Sequence, residues 1–257
     1  MICKALAVAG LAALVLLAVQ SARADEDFAA AVFQDGGRSL PYRLMKPAGY
    51  NAEKAKSYPL VLFLHGAGER GDDNQAQLKH MVRMFAAADA RAKYPCFVLA
   101  PQCPANQKWS EADWFAADHR QAEKPSAPMA LAVKLIAELE KKYRIDPARR
   151  YVMGLSMGGY GAWDAVARYP GMFAAAVPVC GGGDETQAAA IAKLPIWVFH
   201  GSADGAVKVT RSRDMVAALR KAGGSPKYTE YPGVGHDSWI NASKEPGLLP
   251  WLFAQKR

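Results

Sequence analysis

The stretch "RRYVMGLSMGGYGAWDAVARYP", Arg149 to Pro170, decides the fold because its hydrophobic pattern changes half-way along. The run before Ser156 is apolar like a buried strand, and the run after it has the spacing of a helix. Ser156 stands at the junction, between Gly154 and Gly158. Glycines are needed where strand and helix backbones nearly touch, so this pattern matches the G-x-S-x-G elbow that exposes a nucleophilic serine. The alternative is a serine that only caps the helix.

Outward from this junction, short apolar runs alternate with longer helical patterns. A hairpin is predicted around "DGG" (35–37), and strands are predicted at 59–66, 95–102, 150–156, 173–182, 195–201 and 226–233. The clearest helical patterns cover 127–143 and 209–223. Continuous apolar strands joined by amphipathic helices predict an α/β fold, with a parallel sheet covered on both faces. Such sheets bind ligands at the carboxyl edge, where several of these strands end in glycine.

The N-terminus has the pattern of a secretory signal peptide. Lys4 precedes an apolar run at 5–19, and Ala22-Arg23-Ala24 resembles a cleavage site. The apolar run is shorter than the roughly 20 residues of a membrane span, which disfavours an uncleaved anchor. We therefore predict a signal peptide at 1–24, a single domain at 25–257, and a secreted or periplasmic protein without stable membrane association after cleavage.

The charge of the chain is modest and dispersed. Removing Lys4 and Arg23 with the signal segment lowers the formal net charge from +8 to +6. The remaining basic residues are scattered rather than clustered, so we predict no nucleic-acid partner and only a weak preference for acidic polymers.

Three cysteines follow the signal segment, Cys96, Cys103 and Cys180. An extended strand between Cys96 and Cys103 would hold them roughly 20 Å apart, which is too far for a disulfide. We interpret all three as small buried hydrophobic residues. Because no Cys/His spacing matches a zinc site, we predict neither a metal nor another cofactor.

A serine nucleophile needs a histidine base and an acid that orients the histidine, and this type of fold orders them Ser, Asp or Glu, His. His236 lies in the glycine-rich loop "YPGVGHDSW" after the last strand and is the predicted base; His200, at a strand end, is expected to pack beneath a loop. Asp204 lies in the loop after the last strand but one, and it is the predicted acid. Asp184 and Glu185 remain competitors because they also follow a strand.

The oxyanion that forms on the attacked carbonyl needs two N–H donors. One is expected from Met157, directly after the serine, and the other from Ala67, with Gly68 as the alternative, in the loop "HGAGERGDDN". His65 begins this loop and is expected to hold it by hydrogen bonds rather than to act in catalysis.

These motifs together resemble the secreted esterases of the α/β-hydrolase superfamily. Within that superfamily, they are most similar to the branch that contains feruloyl and acetylxylan esterases, polyhydroxybutyrate depolymerases, and the phospholipase/carboxylesterase and "predicted peptidase" relatives. The resemblance implies a mostly parallel sheet of about eight strands and a triad of Ser156, Asp204 and His236. One departure lies in "DGAVKV", the segment that begins with the acid Asp204. The family commonly has Val-Pro a few residues past the acid, and this chain does not. The stretches that carry the resemblance are "FLHGAGERGDDN", "APQCP", "YVMGLSMGGYGAWDAVARYPGMFAAAVPVCGGGD", "HGSADGAV" and "GVGHDSW".

The long connection at 103–126 and the residues after His236 carry aromatic side chains. Trp109 and Trp239 are the predicted substrate-binding residues, although Trp109, Trp114 and Phe115 could equally anchor the connection to the body.

We predict a serine carboxylic-ester hydrolase that acts through an acyl-enzyme on short-acyl or aromatic (acetyl, feruloyl) esters, free or on plant polysaccharide. The alternatives are a serine peptidase of prolyl-oligopeptidase-like type and a non-catalytic binding protein of the same fold. The oligomeric state is left open.

Overall fold

The computed structural model describes residues 27–114, 116 and 118–257. The predicted signal segment 1–24 and Phe115 therefore lie outside the described residues. The strands are β1 (Phe28–Asp35), β2 (Arg38–Met45), β3 (Tyr58–Leu64), β4 (Phe97–Pro101), β5 (Ile145–Leu155), β6 (Ala175–Val179), β7 (Trp197–Gly201) and β8 (Lys227–Tyr231). The α-helices are α1 (Ala88–Lys93), α2 (Ala127–Lys142), α3 (Met157–Arg168), α4 (Ala188–Ile191), α5 (Thr210–Lys221), α6 (Trp239–Ser243) and α7 (Leu248–Ala254). Short 3₁₀ helices cover Ala67–Glu69, Ala76–Leu78, Met81–Ala86 and Glu185–Gln187.

The eight strands form one sheet in the order β1-β2-β4-β3-β5-β6-β7-β8. β1 and β2 are a hairpin, β2 pairs antiparallel with β4, and the remaining neighbours are parallel. Gly36 and Gly37 form the hairpin turn with φ of 57° and 76°, the left-handed conformation that two-residue hairpin turns require. The predicted mostly parallel sheet of about eight strands is confirmed.

The sheet has a hydrophobic core on each face. Every residue of β3 and β4 is buried. Along β3, Leu60, Leu62 and Leu64 pack on one face, whereas Val61 and Phe63 pack on the other, as the two-residue period of a strand dictates. This double burial explains why the central strands are continuously apolar in sequence.

The helix ends follow from local chemistry. The Ser126 hydroxyl caps α2 by accepting the Met129 N–H at 3.3 Å, and the chain beyond α5 turns at Gly223 with φ of 81°. The predicted boundaries of both helices are within two residues of the observed ones. β5 begins five residues earlier than predicted, because Ile145 pairs with Tyr58 before a register shift in the ladder.

Cys96, Cys103 and Cys180 are free and buried, as predicted. Burial raises the pKa of each thiol to about 12, so all three are protonated at neutral pH. Among the residues that the structure describes, no helix combines the length and the apolar character needed to cross a bilayer.

Candidate active site

Ser156 sits on a strained turn between β5 and α3. Its φ of 52° and ψ of −119° are unusual for a residue with a side chain. A Cβ on Gly154 would overlap the Gly158 carbonyl, and one on Gly158 would overlap the Leu64 carbonyl, so both positions require glycine. The turn therefore carries the serine hydroxyl at the carboxyl edge of the sheet. An ordinary N-cap would bond its own helix, whereas the Ser156 side chain makes no capping hydrogen bond.

The side chains of Ser156, His236 and Asp204 form one hydrogen-bonded chain. The Ser156 hydroxyl lies 2.8 Å from Nε2 of His236, and Nδ1 of His236 lies 2.8 Å from Oδ2 of Asp204. A carboxylate can only accept, so Nδ1 carries the proton and Nε2 is left to accept the serine hydroxyl proton. Asp204 lies in the loop after β7 and His236 in the loop after β8, in the predicted order.

Asp204 is fixed from several sides. Its side chain is completely buried, and its Oδ1 accepts the N–H groups of Ala206 at 2.9 Å and Val207 at 2.8 Å. Burial alone would raise the pKa of Asp204, but hydrogen bonds from His200, His236 and these two amides outweigh it and hold the pKa well below its ordinary value. The carboxylate is therefore ionised at neutral pH.

The competing acids lie elsewhere. Asp184 caps the 3₁₀ helix at Glu185–Gln187 through Thr186 and also accepts the Gln121 N–H at 2.8 Å. Asp237 is exposed although it neighbours His236 in sequence. Of the carboxylates considered, Asp204 is the one that hydrogen-bonds to the histidine.

The loop after β3 lies directly against the serine. A Cβ on Gly66 would come within 3.6 Å of the Ser156 Cβ, and Ala67 begins the 3₁₀ helix that follows. Met157 begins α3, so its N–H is one of those that have no partner within the helix. The two amides predicted as oxyanion donors therefore belong to the two segments that meet at Ser156.

The loop is held by side chains of its own and by Gln102, which the sequence reasoning missed. The Gln102 amide donates to the Glu69 carbonyl at 3.1 Å and to Asp73 at 2.9 Å. Glu69 is buried and pairs with His80 at 3.2 Å, and Arg70 donates to the Ala67 carbonyl at 2.9 Å. Gln102 is distant in sequence and belongs to an apolar strand end, so no local pattern identified it.

Comparison with known proteins assigns the family. The family model Esterase matches residues 34–239, a range that includes Ser156, Asp204 and His236. The chain belongs to the Esterase family. A rice protein (Oryza sativa subsp. japonica) named a probable carboxylesterase is 28% identical over 197 residues, which are 71% of this chain and 83% of the relative.

Solved structures give the esterase its fold class. The crystal structure of a thermostable esterase matches with a TM-score of 0.84 and 42% identity over 91% of this chain, which spans 64% of that chain. A ferulic acid esterase matches with a TM-score of 0.67 over 88% of this chain and 98% of its own, but at 19% identity this shows a shared fold alone. The esterase has the α/β-hydrolase fold.

His65 of this esterase is a structural histidine. It is buried, its Nδ1 donates to the Gly66 carbonyl at 2.6 Å, and its Nε2 accepts the Cys103 N–H at 2.9 Å. The sequence predicted that His65 holds the loop by hydrogen bonds, without naming their partners, and these two bonds agree with that prediction. Burial lowers the pKa of His65 from 6.5 to about 4, so the ring is neutral at pH 7.

Acidification should destabilise the esterase in a window set by His65. The pKa of His65 is lower in the folded protein than in the unfolded chain, so the unfolded chain binds a proton more readily. The contribution of His65 to the free energy of unfolding is therefore complete above pH 6.5 and is lost as the pH falls to about 4. The shift corresponds to about 3 kcal/mol of unfolding free energy. We expect urea denaturation to show a smaller loss between pH 7 and pH 4 for His65→Gln, which cannot titrate, than for wild type. Equal losses in both proteins would contradict this account.

Trp109 is not a wall of a substrate pocket. Its side chain is completely buried, its indole N–H donates to the His65 carbonyl at 3.1 Å, and Gly161 leaves room for it against α3. The tryptophan therefore anchors the 103–126 connection to the body, which corrects the prediction that it contacts substrate. Trp114 is half-buried near Tyr160, with 6.2 Å between ring centroids.

Trp239 remains accessible beside the candidate triad. Its ring is half-buried and stands edge-on to His236, with 5.3 Å between centroids, and it is equally far from His80. Trp239 also lines a groove of about 410 Å³ between α6 and the 3₁₀ segment Met81–Ala86. The groove is lined by Lys79, His80, Met81, Arg83, Met84, Trp239, Ile240 and Ser243.

Among the residues that the structure describes, one group of side chains has donor atoms close enough to share a metal ion. Cys180, Asp204 and His236 each offer one such atom, and these lie within 4.8 Å of one another. Asp204 and His236 already bond each other, and the thiol of Cys180 is protonated because burial raises its pKa to about 12. The group suits a hydrogen-bonded triad better than a metal site, and the absence of a cofactor stays a prediction.

Proposed function

We propose that this esterase cleaves carboxylic esters through an acyl-enzyme formed on Ser156. The observation that carries the proposal is the chain of two 2.8 Å hydrogen bonds that joins Asp204, His236 and Ser156 at a strained elbow. A serine hydroxyl becomes a useful nucleophile only when an adjacent base takes its proton, and this arrangement supplies that base.

The reaction follows from these roles. His236 Nε2 takes the hydroxyl proton while Ser156 Oγ attacks the ester carbonyl, and the N–H groups of Met157 and Ala67 stabilise the oxyanion. The tetrahedral intermediate collapses by breaking the bond to the alcohol, which leaves with the proton from His236. A water molecule then attacks the acyl-enzyme, gives its proton to His236, and releases the acid and the free serine.

Short-acyl and aromatic esters, such as acetyl and feruloyl groups, are the proposed substrates, either free or carried by plant polysaccharide. Trp239 supports this choice because an accessible aromatic ring beside the base can pack against a flat acyl group or a sugar ring. The groove beside Trp239 offers room for the remainder of a larger ester.

Export is part of the same proposal. It is supported by the basic, apolar and small-residue pattern within residues 1–24, and it would give the enzyme access to esters outside the cytoplasm. Sequencing the N-terminus of protein recovered from the periplasm or the medium tests it, because cleavage after Ala24 leaves Asp25 first.

An ester should be a far better substrate than the matched amide. The alcohol oxygen can leave before proton transfer from His236 is complete, whereas an amine must be protonated by His236 before its C–N bond breaks. Amide cleavage therefore needs the substrate to be held more precisely. We expect kcat/KM for an acetyl or feruloyl ester to exceed that of the amide at least about a thousandfold, or about 4 kcal/mol in transition-state binding.

The measurement is a panel of p-nitrophenyl acetate, butyrate and laurate, methyl ferulate, acetylated xylan and a chromogenic amide. Comparable rates on ester and amide would replace the esterase proposal with a peptidase, and no turnover by folded protein would favour a binding role.

The panel repeated with Trp239→Ala tests the aromatic contact, which predicts a higher KM for methyl ferulate. An unchanged KM would remove Trp239 from the proposed substrate site.

A further inference from the structure

His200 is a completely buried histidine that touches the candidate acid. It is the last residue but one of strand β7, four residues before Asp204. Its Nε2 is 3.2 Å from Oδ2 of Asp204 and 3.0 Å from the Val207 carbonyl. The sequence predicted only that His200 packs beneath the loop. The four-residue spacing between His200 and Asp204 in "HGSAD" was the one local feature that could have indicated a contact between them.

The partners of His200 determine where its proton lies. Nε2 faces two oxygens that can only accept, so this nitrogen carries the hydrogen. Nδ1 lies 2.7 Å from the hydroxyl of Ser212, a completely buried residue of α5. The Ser212 hydroxyl also lies 3.2 Å from the Gly181 carbonyl, which holds the hydroxyl in place beside Nδ1. Helix α5 thereby fixes the plane of the ring.

His200 and His236 converge on the same oxygen. Oδ2 of Asp204 accepts the His236 N–H at 2.8 Å and shares the His200 N–H, at 3.2 Å, with the Val207 carbonyl, whereas Oδ1 accepts the amides of Ala206 and Val207. Four donors around a buried carboxylate prevent it from rotating about Cβ–Cγ and satisfy its charge without water. Without His200, Oδ2 would accept a hydrogen bond from His236 alone, and the two amides on Oδ1 would be the remaining restraint on rotation of the carboxylate.

We propose that His200 is a positioning residue, which holds Oδ2 of Asp204 in the orientation that keeps His236 aligned with Ser156. This inference rests on the proposed function, because it assigns His200 a part in activating that serine. His200 does not contact the reacting atoms; its effect passes through Asp204. His200 therefore contributes to the rate of the chemical step, which kcat reports, and not to the binding of substrate.

Two substitutions at one position separate positioning from packing. His200→Leu fills the space without a donor, whereas the amide of His200→Gln can still donate to Asp204. We expect His200→Leu to lower kcat about 10- to 100-fold with KM within about threefold of wild type, as for loss of a hydrogen bond to a charged group. His200→Gln should recover most of that loss. The readouts are kcat and KM for p-nitrophenyl acetate, the rate of fluorophosphonate labelling, and Tm.

Ser202→Ala is the matched control, because the Ser202 hydroxyl holds the Gly233 N–H in the neighbouring turn and has no bond to Asp204. It should keep wild-type kcat. Folded His200→Leu with unchanged kcat and labelling rate overturns the proposal, and so does an equal loss in the Leu and Gln variants. If His200→Leu does not fold, Ser212→Ala decides: the ring loses its orienting hydroxyl, so kcat should fall, and an unchanged kcat overturns the inference.

Failure here is distinguishable from failure of the proposed function. If wild type is labelled at Ser156 and Ser156→Ala is inactive while His200→Leu is fully active, only the role of His200 is lost. If labelling occurs at another residue, the triad itself is wrong.

Discussion

Replacing Ser156 with alanine is expected to lower kcat by about 10⁵-fold or more, which is about 7 kcal/mol of transition-state stabilisation. The variant loses the atom that attacks the ester, and His236 then has no hydroxyl to deprotonate. Its fold should persist, because alanine is tolerated at φ of 52° about as well as serine and, within the part of the chain that the structure describes, the lost hydroxyl hydrogen-bonds to His236 alone. The measurements are ester hydrolysis and Tm of both proteins.

Labelling gives the same prediction an independent readout. A fluorophosphonate probe should modify wild type at Ser156, and peptide mapping should find no other labelled serine. Ser202→Ala serves as the control, because it removes a hydroxyl from a turn close to the site without touching the triad. An active, labelled Ser156→Ala protein would refute the assignment of the nucleophile.

Asp204→Asn is expected to reduce kcat by a factor on the order of 10⁴ without unfolding the protein. The asparagine oxygen can still accept the amides of Ala206 and Val207, which turns its NH₂ group toward His236 and His200. His236 Nδ1 must then accept rather than donate. Its proton moves to Nε2, where it can no longer take the hydrogen of Ser156.

Asp184→Asn is the matched control for this substitution. It makes the same chemical change in a carboxylate that follows β6 and bonds to Gln121 and Thr186 rather than to His236. It should change Tm more than kcat, because it weakens a cap and a loop contact. A strong loss of kcat in Asp184→Asn, with little change in Asp204→Asn, would show that the acid lies after β6.

Local pattern was sufficient for much of this site. Glycines on either side of Ser156 can be predicted because close approach of a strand and a helix leaves no room for a Cβ, which is a property of the turn itself. The position of His236 in a glycine-rich loop followed from strand order, since consecutive parallel strands bring their carboxyl ends to one edge. The continuous apolar runs of β3 and β4 indicated burial on both faces.

Other assignments could not be made from spacing. Trp109 and Trp239 look alike in sequence, yet the first is completely buried against a carbonyl 44 residues away and the second stands half-exposed beside His236. Composition tells that a tryptophan prefers burial, but not which one reaches the core. The same limit applies to Gln102, whose partners lie about thirty residues earlier in the chain.

The sequence by itself determined the α/β class, the elbow and the order of serine, acid and histidine, because hydrophobic period, glycine placement and chain order are local or topological properties. The tertiary structure alone decided which carboxylate meets His236, that Trp109 is an anchor, and that His200 shares the oxygen of Asp204. These depend on distances between segments far apart in the chain. Such distances are set by how helices pack on the sheet, to within the few tenths of an ångström that separate a hydrogen bond from none.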